Sequence, residues 1–369
     1  MGSLLAAPAT PQIRFALATD KDDPEIRRLL RENEMRGEVA LSLEHEPHYF
    51  HHPKIASAED KTVLAFEKNR LVGLNRCSIH NRYLNGEIRR VGYFTNARLD
   101  ASHKGRFDII RRSFKLLHAE LHCSEPPFYY FCNFAADNHR AIRIAERHLP
   151  GMPLFEVMAH FVTLFIQVPR KEDLFSTRAQ KQLKSEGLNC ISGAQEHIPD
   201  MAACLNFYAK KHQLALHWTE EEFRSLKRFG LSPADFRVVW DGNKVIACAA
   251  LWDQRTFKQI VVRGYGSESP FRFGPVGSTI AQATLSPLAV PADNDQLLLA
   301  IIESSLSDAA KRGLEFLTLS FTSDDFRLTT IRNHFRCHEY LSRLDHVRWH
   351  DTEAEALDGR SILPETAFL

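Results

Sequence analysis

The sequence predicts two α/β domains in tandem, each a mixed, twisted sheet flanked by helices. Its 369 residues exceed what one hydrophobic core usually organises. Its 44% apolar and 25% charged residues are those of an ordinary globular chain, so both halves can bury a core. The same order of elements then runs through the chain twice, and a constant offset across independent elements is the mark of duplication.

The first half opens with Pro24-Glu25-Ile26-Arg27-Arg28-Leu29-Leu30, an amphipathic helix whose early Pro loses nothing by lacking an N–H. Pro199-Asp200-Met201-Ala202-Ala203-Cys204-Leu205 repeats it. A hairpin follows, with apolar strands at 63–66 and 71–73 around the polar turn Glu67-Lys68-Asn69-Arg70. Its counterpart is 238–240 and 245–247 around Asp241-Gly242-Asn243-Lys244. Asn69 and Asn243 lie 174 positions apart, and a basic residue follows each. Each half then continues as a strand, a longer helix, a buried strand, a short helix and a closing strand. In the first half these are a strand over 91–99, a helix over 107–121, a strand over 128–132 and a helix over 138–147. In the second, a strand ends at 289–290, and a helix over 296–312, a strand over 316–319 and a helix over 326–335 follow. The expected boundaries are 12–168 and 187–350 for the domains, 169–186 for the joining piece and 351–369 for a tail.

Forty-seven Lys and Arg stand against forty-six Asp and Glu, so no global field favours nucleic acid or an anionic membrane. Any anionic ligand has to be caught locally. The seven cysteines form no Cys-x-x-Cys pair, which suits free thiols in a reducing compartment. No apolar run approaches eighteen residues and residues 1–11 carry no secretory pattern, so the expectation is a cytoplasmic protein without a membrane span.

The chemistry depends on the turn Arg98-Leu99-Asp100-Ala101-Ser102-His103-Lys104-Gly105-Arg106-Phe107-Asp108-Ile109-Ile110, where a strand gives way to a helix. A helix N-terminus offers unpaired N–H groups and partial positive charge. Lys104 and Arg106 stand beside it, and Gly105 lets a ligand approach the backbone, so the turn can hold a pyrophosphate. The second half has Pro291-Ala292-Asp293-Asn294-Asp295-Gln296 there, and its aspartates repel such a ligand.

Helix, hairpin, long strand, basic Gly-containing turn, helix, buried strand and then Asn-x-x-Ala at a helix start resemble the GNAT superfamily of N-acetyltransferases. The resemblance covers the topology of nearly the whole chain and only part of the short motifs. It implies acetyl-CoA, or another acyl-CoA, as co-substrate, no metal, and a small-molecule or peptide amine as acceptor. Laid on the family's phosphate-binding motif, the hydrophobic position falls on Leu99, the Arg on Lys104 and the first Gly on Gly105, while Phe107 and Ile109 replace small residues. The family's Asn-x-x-Ala-x-x-x-Tyr falls on Asn138, Ala141 and Ala145, so the tyrosine able to protonate the leaving thiolate is missing. The implied cofactor-binding set is Leu99, Lys104, Gly105, Arg106, Phe107, Asp108, Ile109 and Asn138. Asp108 is the awkward member, because its carboxylate can cap the helix in the phosphate's place. In this family, backbone N–H groups of the splayed fourth strand usually hold the thioester oxygen.

Acyl transfer to an amine needs a base or a water chain. The candidates are His80, Glu87 and His148, with Cys132 and Asn133 near the thioester if the fold is right. The histidines at 45, 48, 51 and 52 suggest a metal site, but His45-Glu46-Pro47-His48 is one residue short of His-Glu-x-x-His, and its prolines oppose the helix that would align the rings. A polar, substrate-side loop suited to a cationic amine is the expectation there. The leading reading is an N-acetyltransferase acting by direct attack on the thioester, with its donor in the first half and the second half completing the cleft. The alternatives are a non-catalytic CoA-binding or regulatory pseudoenzyme, and a transferase using a long-chain acyl-CoA or an aminoacyl-tRNA. Monomer and homodimer both stay open.

Overall fold

Alternation along one strand decides where the helices of the first half sit. The chain forms β1 (Ile13–Leu17), α1 (Asp23–Glu32), β2 (Val39–Glu44), β3 (Glu59–Glu67) and β4 (Arg70–Leu84). Successive side chains of a strand point to opposite faces. Leu64 and Phe66 of β3 therefore meet Ile26, Leu29 and Leu30 of α1, while Val63 and Ala65 face the other way. That second face is covered by α2 (Phe107–Leu121), which follows β5 (Glu87–Leu99). β6 (Tyr129–Ala135), α3 (His139–Ala145) and β7 (Leu154–Gln167) complete the first run. Full burial of an Ile or Leu side chain is worth about 2 kcal/mol, so the three on α1 fix that helix to the sheet.

The second run repeats this layering. α4 (Arg178–Ser185), β8 (Asn189–Ser192), α5 (Ile198–Ala209) and α6 (Glu220–Ser225) lead to the hairpin β9 (Phe236–Asp241) and β10 (Lys244–Trp252). β11 (Gln259–Tyr265), β12 (Gln282–Ala289), α7 (Asp295–Lys311), β13 (Phe316–Thr322), α8 (Arg327–His334) and β14 (Cys337–Arg348) follow. Val238, Cys248 and Ala250 pack toward α5, and Val239, Ala247 and Ala249 toward α7, on the opposite face. The computed structural model describes residues 12–53, 55, 58–123, 125–169, 178–267, 272–350 and 355–369. Residues 170–177 of the expected joining piece, 169–186, and the first tail residues, 351–354, lie outside them. From Arg178 the chain is already helical, with Ala179 and Leu183 packed in the α7 core.

The two runs share one sheet of twelve strands, ordered β1-β3-β4-β5-β6-β14-β7-β13-β12-β10-β9-β8. The closing strands have changed places. β14 pairs antiparallel with β6, β7 with β13, and β7 with β14 at the centre. Each half therefore has the expected mixed sheet, with one parallel pair, β5–β6 or β12–β13, but each is finished by the other half's last strand. The constant offset ends after the hairpin, because β11 and its flanks are inserted in the second half. β11 leaves the main sheet and pairs with β2 of the first half, forming a separate two-stranded ribbon. A third tie runs from the end of β4, where Tyr83 and residues 214–215 exchange backbone hydrogen bonds at 2.8 Å.

Candidate active site

The parallel pairing of β5 with β6 stops at Phe94 opposite Cys132. Beyond it β5 continues to Leu99 and β6 to Ala135 as separating strands. The cause is a bulge. Along β4, Leu74 faces Arg98 and Arg76 faces Thr95, so β5 carries one residue too many, and Asn96 takes the left-handed φ of 55°. Asparagine is among the few residues that accept this conformation readily.

The opening leads into a cavity of about 600 Å³. On the helix side Phe94, Ile110, Phe114, Ile144, Met152 and Phe155 line it. On the other side it runs under the β2–β11 ribbon, past Leu41, Ile260, Phe165 and Tyr340, to Gln282, Thr284 and Thr318 of the second half. Buried oxygens of Asn75, Asn133 and Gln282 lack partners among the described residues and belong to residues that line this space.

Among the described residues the second half has no such opening of its own. β12 and β13 also stop pairing, after Thr284 opposite Thr318. Here residues 363–366 of the tail fill the gap between Leu285 and Leu319, leaving about 30 Å³. The buried Ser286 donates to Glu365 and accepts from the Ala367 amide, which pins the plug. Burial, opposed by the Ser286 hydrogen bond and by Arg82, raises the Glu365 carboxyl to about 7.

The strand-to-helix turn of the first half lies at one end of the open slot. A short 3-10 turn, Ala101–His103, is capped by Asp100, which accepts from the Ser102 amide at 3.0 Å. Gly105 stands at φ +99°, a conformation that disfavours any side chain, and the space around its missing Cβ is open. α2 starts at Phe107 without a capping side chain. The Phe107 and Ile109 amides bond to turn carbonyls of Gly105 and Arg106 at 2.8 and 3.1 Å. The Asp108 carboxylate grips Arg106 through two bonds of 2.8 and 2.9 Å, and that hydrogen bonding holds Asp108 below the usual carboxylate range. Lys104 is exposed and has no ion pair among the described residues.

Of the cofactor-binding residues expected from sequence, Leu99, Ile109 and Asn138 line the cavity. Lys104, Gly105, Arg106, Phe107 and Asp108 form the turn outside it. The bulk of Ile109 does not obstruct the turn, because its side chain is buried against Ala65 and Val72. Asn138 caps α3 by accepting from the Ala141 amide at 3.2 Å.

The catalytic candidates are not brought together. Cys132 lines the cavity, but burial and then Asp345 push its thiol well above the ordinary range, so it stays protonated. His80 is buried in a separate recess, with Nε2 3.0 Å from Ser78 Oγ and Nδ1 3.0 Å from the Ile55 carbonyl. Burial, and secondarily Arg82, lower it to about 3. His148 is exposed beyond α3 and lines neither space. Glu87 is exposed at the far end of β5, paired with Arg89.

The sequence reading missed the recess itself, because its walls come from five separate segments. It holds about 70 Å³, opens onto the cavity at Tyr93, Thr95 and Asn96, and is walled by His45, Arg76, His80 and Lys258. His45 and His52 of the histidine-rich loop reach it, whereas His51 packs on Phe229 and His48 sits 3.7 Å from Asp23. Among the described residues no group of three or more His, Cys, Asp or Glu side chains could hold a metal ion. No described helix is long and apolar enough to cross a membrane.

No family model matches the sequence, and no curated protein matches it at a significant level. Solved structures do match. N-myristoyltransferase of Saccharomyces cerevisiae with bound myristoyl-CoA aligns over 97% of this chain and 85% of its own, with a TM-score of 0.59 and 10% identity. A GCN5-related N-acetyltransferase from Sphaerobacter thermophilus aligns over 93% and 98%, with a TM-score of 0.57 and 10% identity. The fold is that of the GCN5-related N-acetyltransferases. A glucosamine N-acetyltransferase region of a fungal GH3 β-N-acetylglucosaminidase also aligns, with a TM-score of 0.58 and 13% identity, over 92% of this chain and 38% of that one. At such identities the likeness is one of fold, used here twice with exchanged closing strands.

Proposed function

We propose that this protein is an acyl-CoA-dependent N-acyltransferase whose donor lies in the slot between β5 and β6. The single observation that carries the reading is the asymmetry of the two splayed points: the first opens into a long apolar cavity, and the second is plugged by residues 363–366. The slot suits the pantetheine arm, with the oxygens of Asn75 and Asn133 ready to accept from its amides. The uncapped start of α2, with Lys104 as counter-charge, suits the pyrophosphate. Coenzyme A activates the acyl carbonyl as a thioester, and the chain positions that carbonyl beside the bulge at Asn96, where the β5 backbone has left the ladder. Direct attack by the amine fits this site better than an acyl-cysteine, because Cys132 is held as a thiol.

An acetyl group fills little of the cavity, so its phenylalanine-rich walls favour a longer acyl chain. Calorimetry with acetyl-CoA and octanoyl-CoA, together with thiol release in the presence of amines, tests the reading. Tighter binding of octanoyl-CoA and release of free CoA support it. Binding without release would favour the pseudoenzyme, which the Asp108–Arg106 pair makes a specific alternative, and no binding of either donor would refute the assignment.

A further inference from the structure

We infer that the recess beside Asn96 binds the carboxylate of the acceptor, so that the amine acylated is that of an amino acid. This rests on the acyltransferase reading and names its second substrate. The histidine-rich loop of the first half supplies the decisive group. The Asn96 carboxamide donates to His45 Nε2 at 3.3 Å, which puts the imidazole proton on Nδ1. His45 is 6% exposed and lines the recess, and its Nδ1 has no partner among the described residues. A buried donor left in this way is costly unless a ligand or water accepts from it.

The charged side chains of the other walls agree in sign. Arg76 and Lys258 line the recess, and among the described residues no Asp or Glu side chain does; residues 367–369 line it as well. Asp60, behind Arg76, is already committed, accepting from Arg76 at 2.6 Å and lying 3.3 Å from His52. Lys258 uses two of its three N–H bonds on the main-chain oxygens of Ala367 and Leu369, at 3.3 and 2.9 Å, and keeps one. Burial, and then Arg76, lower Lys258 to about 8, and a bound anion would raise it again. The space, about 70 Å³, is that of roughly two waters, enough for a carboxylate and too small for a ring. His80 and Ser78 bond to each other and close the far wall.

Because Tyr93, Thr95, Asn96 and Lys258 border both spaces, a carboxylate in the recess leaves its α-amine in the cavity at the bulge. There the neutral amine nitrogen attacks the thioester carbonyl, the C–N bond forms, the C–S bond breaks, and the proton lost by nitrogen is taken up by the departing CoA thiolate. The products are an N-acyl amino acid and CoA.

The test compares N-octanoyl-alanine with N-octanoyl-alaninamide by calorimetry on the full chain, without turnover. The acid should bind at least tenfold more tightly, and the preference should collapse in His45→Phe and in Lys258→Gln, each checked for folding by circular dichroism. Equal binding of acid and amide, binding of neither, or a preference intact in both folded variants would overturn the proposal. Octanoyl-CoA is titrated in parallel. An acid preference without octanoyl-CoA binding upholds the recess and refutes the acyltransferase reading, whereas octanoyl-CoA binding without an acid preference does the reverse.

Discussion

The two halves place the same elements around the same kind of opening and treat it in opposite ways. In the first, β5 bulges at Asn96, the slot beside β6 stays open, and α2 begins with no capping side chain beside Lys104 and Gly105. In the second, the tail fills the slot beside β13, and Asn294 caps α7 by accepting from the Leu297 amide at 3.1 Å. Asp295 adds a carboxylate to that first turn and accepts from Thr330 at 2.5 Å. A helix end with its N–H groups satisfied by its own side chains has little left for a phosphate. A duplicated fold can thus keep its stability in both copies while only one retains the vacancies that binding needs.

The largest effect expected from breaking this contrast concerns the plug. Glu365 ordinarily titrates near 4.5 and is raised to about 7 in the folded protein, so its buried form is the neutral acid. The folded state then holds the proton more tightly than the unfolded state. The stability it contributes is present below pH 4.5 and is lost as pH rises through 7, by about 3 kcal/mol in all. Denaturant unfolding across that interval should show wild type losing stability relative to Glu365→Gln. Parallel pH curves for the two proteins would mean that the plug is not held by a neutral carboxyl.

Next in size is the charge at the open turn. Lys104→Glu replaces an attraction by a repulsion and should weaken acyl-CoA binding about ten- to a hundredfold, while Asp293→Lys in the capped turn should leave it unchanged. Calorimetric loss in the Asp293 variant alone would place the donor in the wrong half of this account. Removing the second-half cap, Asn294→Ala, should cost about 1 kcal/mol of stability with no change in acyl-CoA affinity, as read by thermal unfolding and titration of the same sample. The smallest effect is a gain. Asp108→Asn frees Arg106 and removes a negative charge from the first turn of α2, so acyl-CoA should bind several-fold more tightly. Weaker binding would show that Asp108 helps to shape the turn rather than competing for it.

Elements with strong local patterns were legible in the sequence. α2 occupies the expected 107–121 because Phe114, Leu117 and Leu121 repeat at helical spacing and bury one face. The hairpins were legible from their turns, whereas Asp108, expected to cap α2, pairs with Arg106 instead and leaves the helix start without a side-chain cap. The exchange of β7 and β14 was not, because an amphipathic strand carries no label naming its partner, and Leu164 and Leu344 are equally suited to the centre of either sheet. The bulge at Asn96 left only one trace, an asparagine just after the apolar stretch 91–94 of the strand. The recess left none: His45, Arg76 and Lys258 meet only after the β2–β11 ribbon has folded across the halves. The plug was missed for the same reason, since the short run at 362–369, though mostly apolar, does not say which gap it will fill.

Hydrogen exchange with and without octanoyl-CoA tests the central claim most directly, because it reads both turns in one sample. Slowed exchange at the amides of residues 104–110 and along 95–99, with no change at 293–298, is the result this account predicts. Protection at 293–298 with none at 104–110 would contradict it.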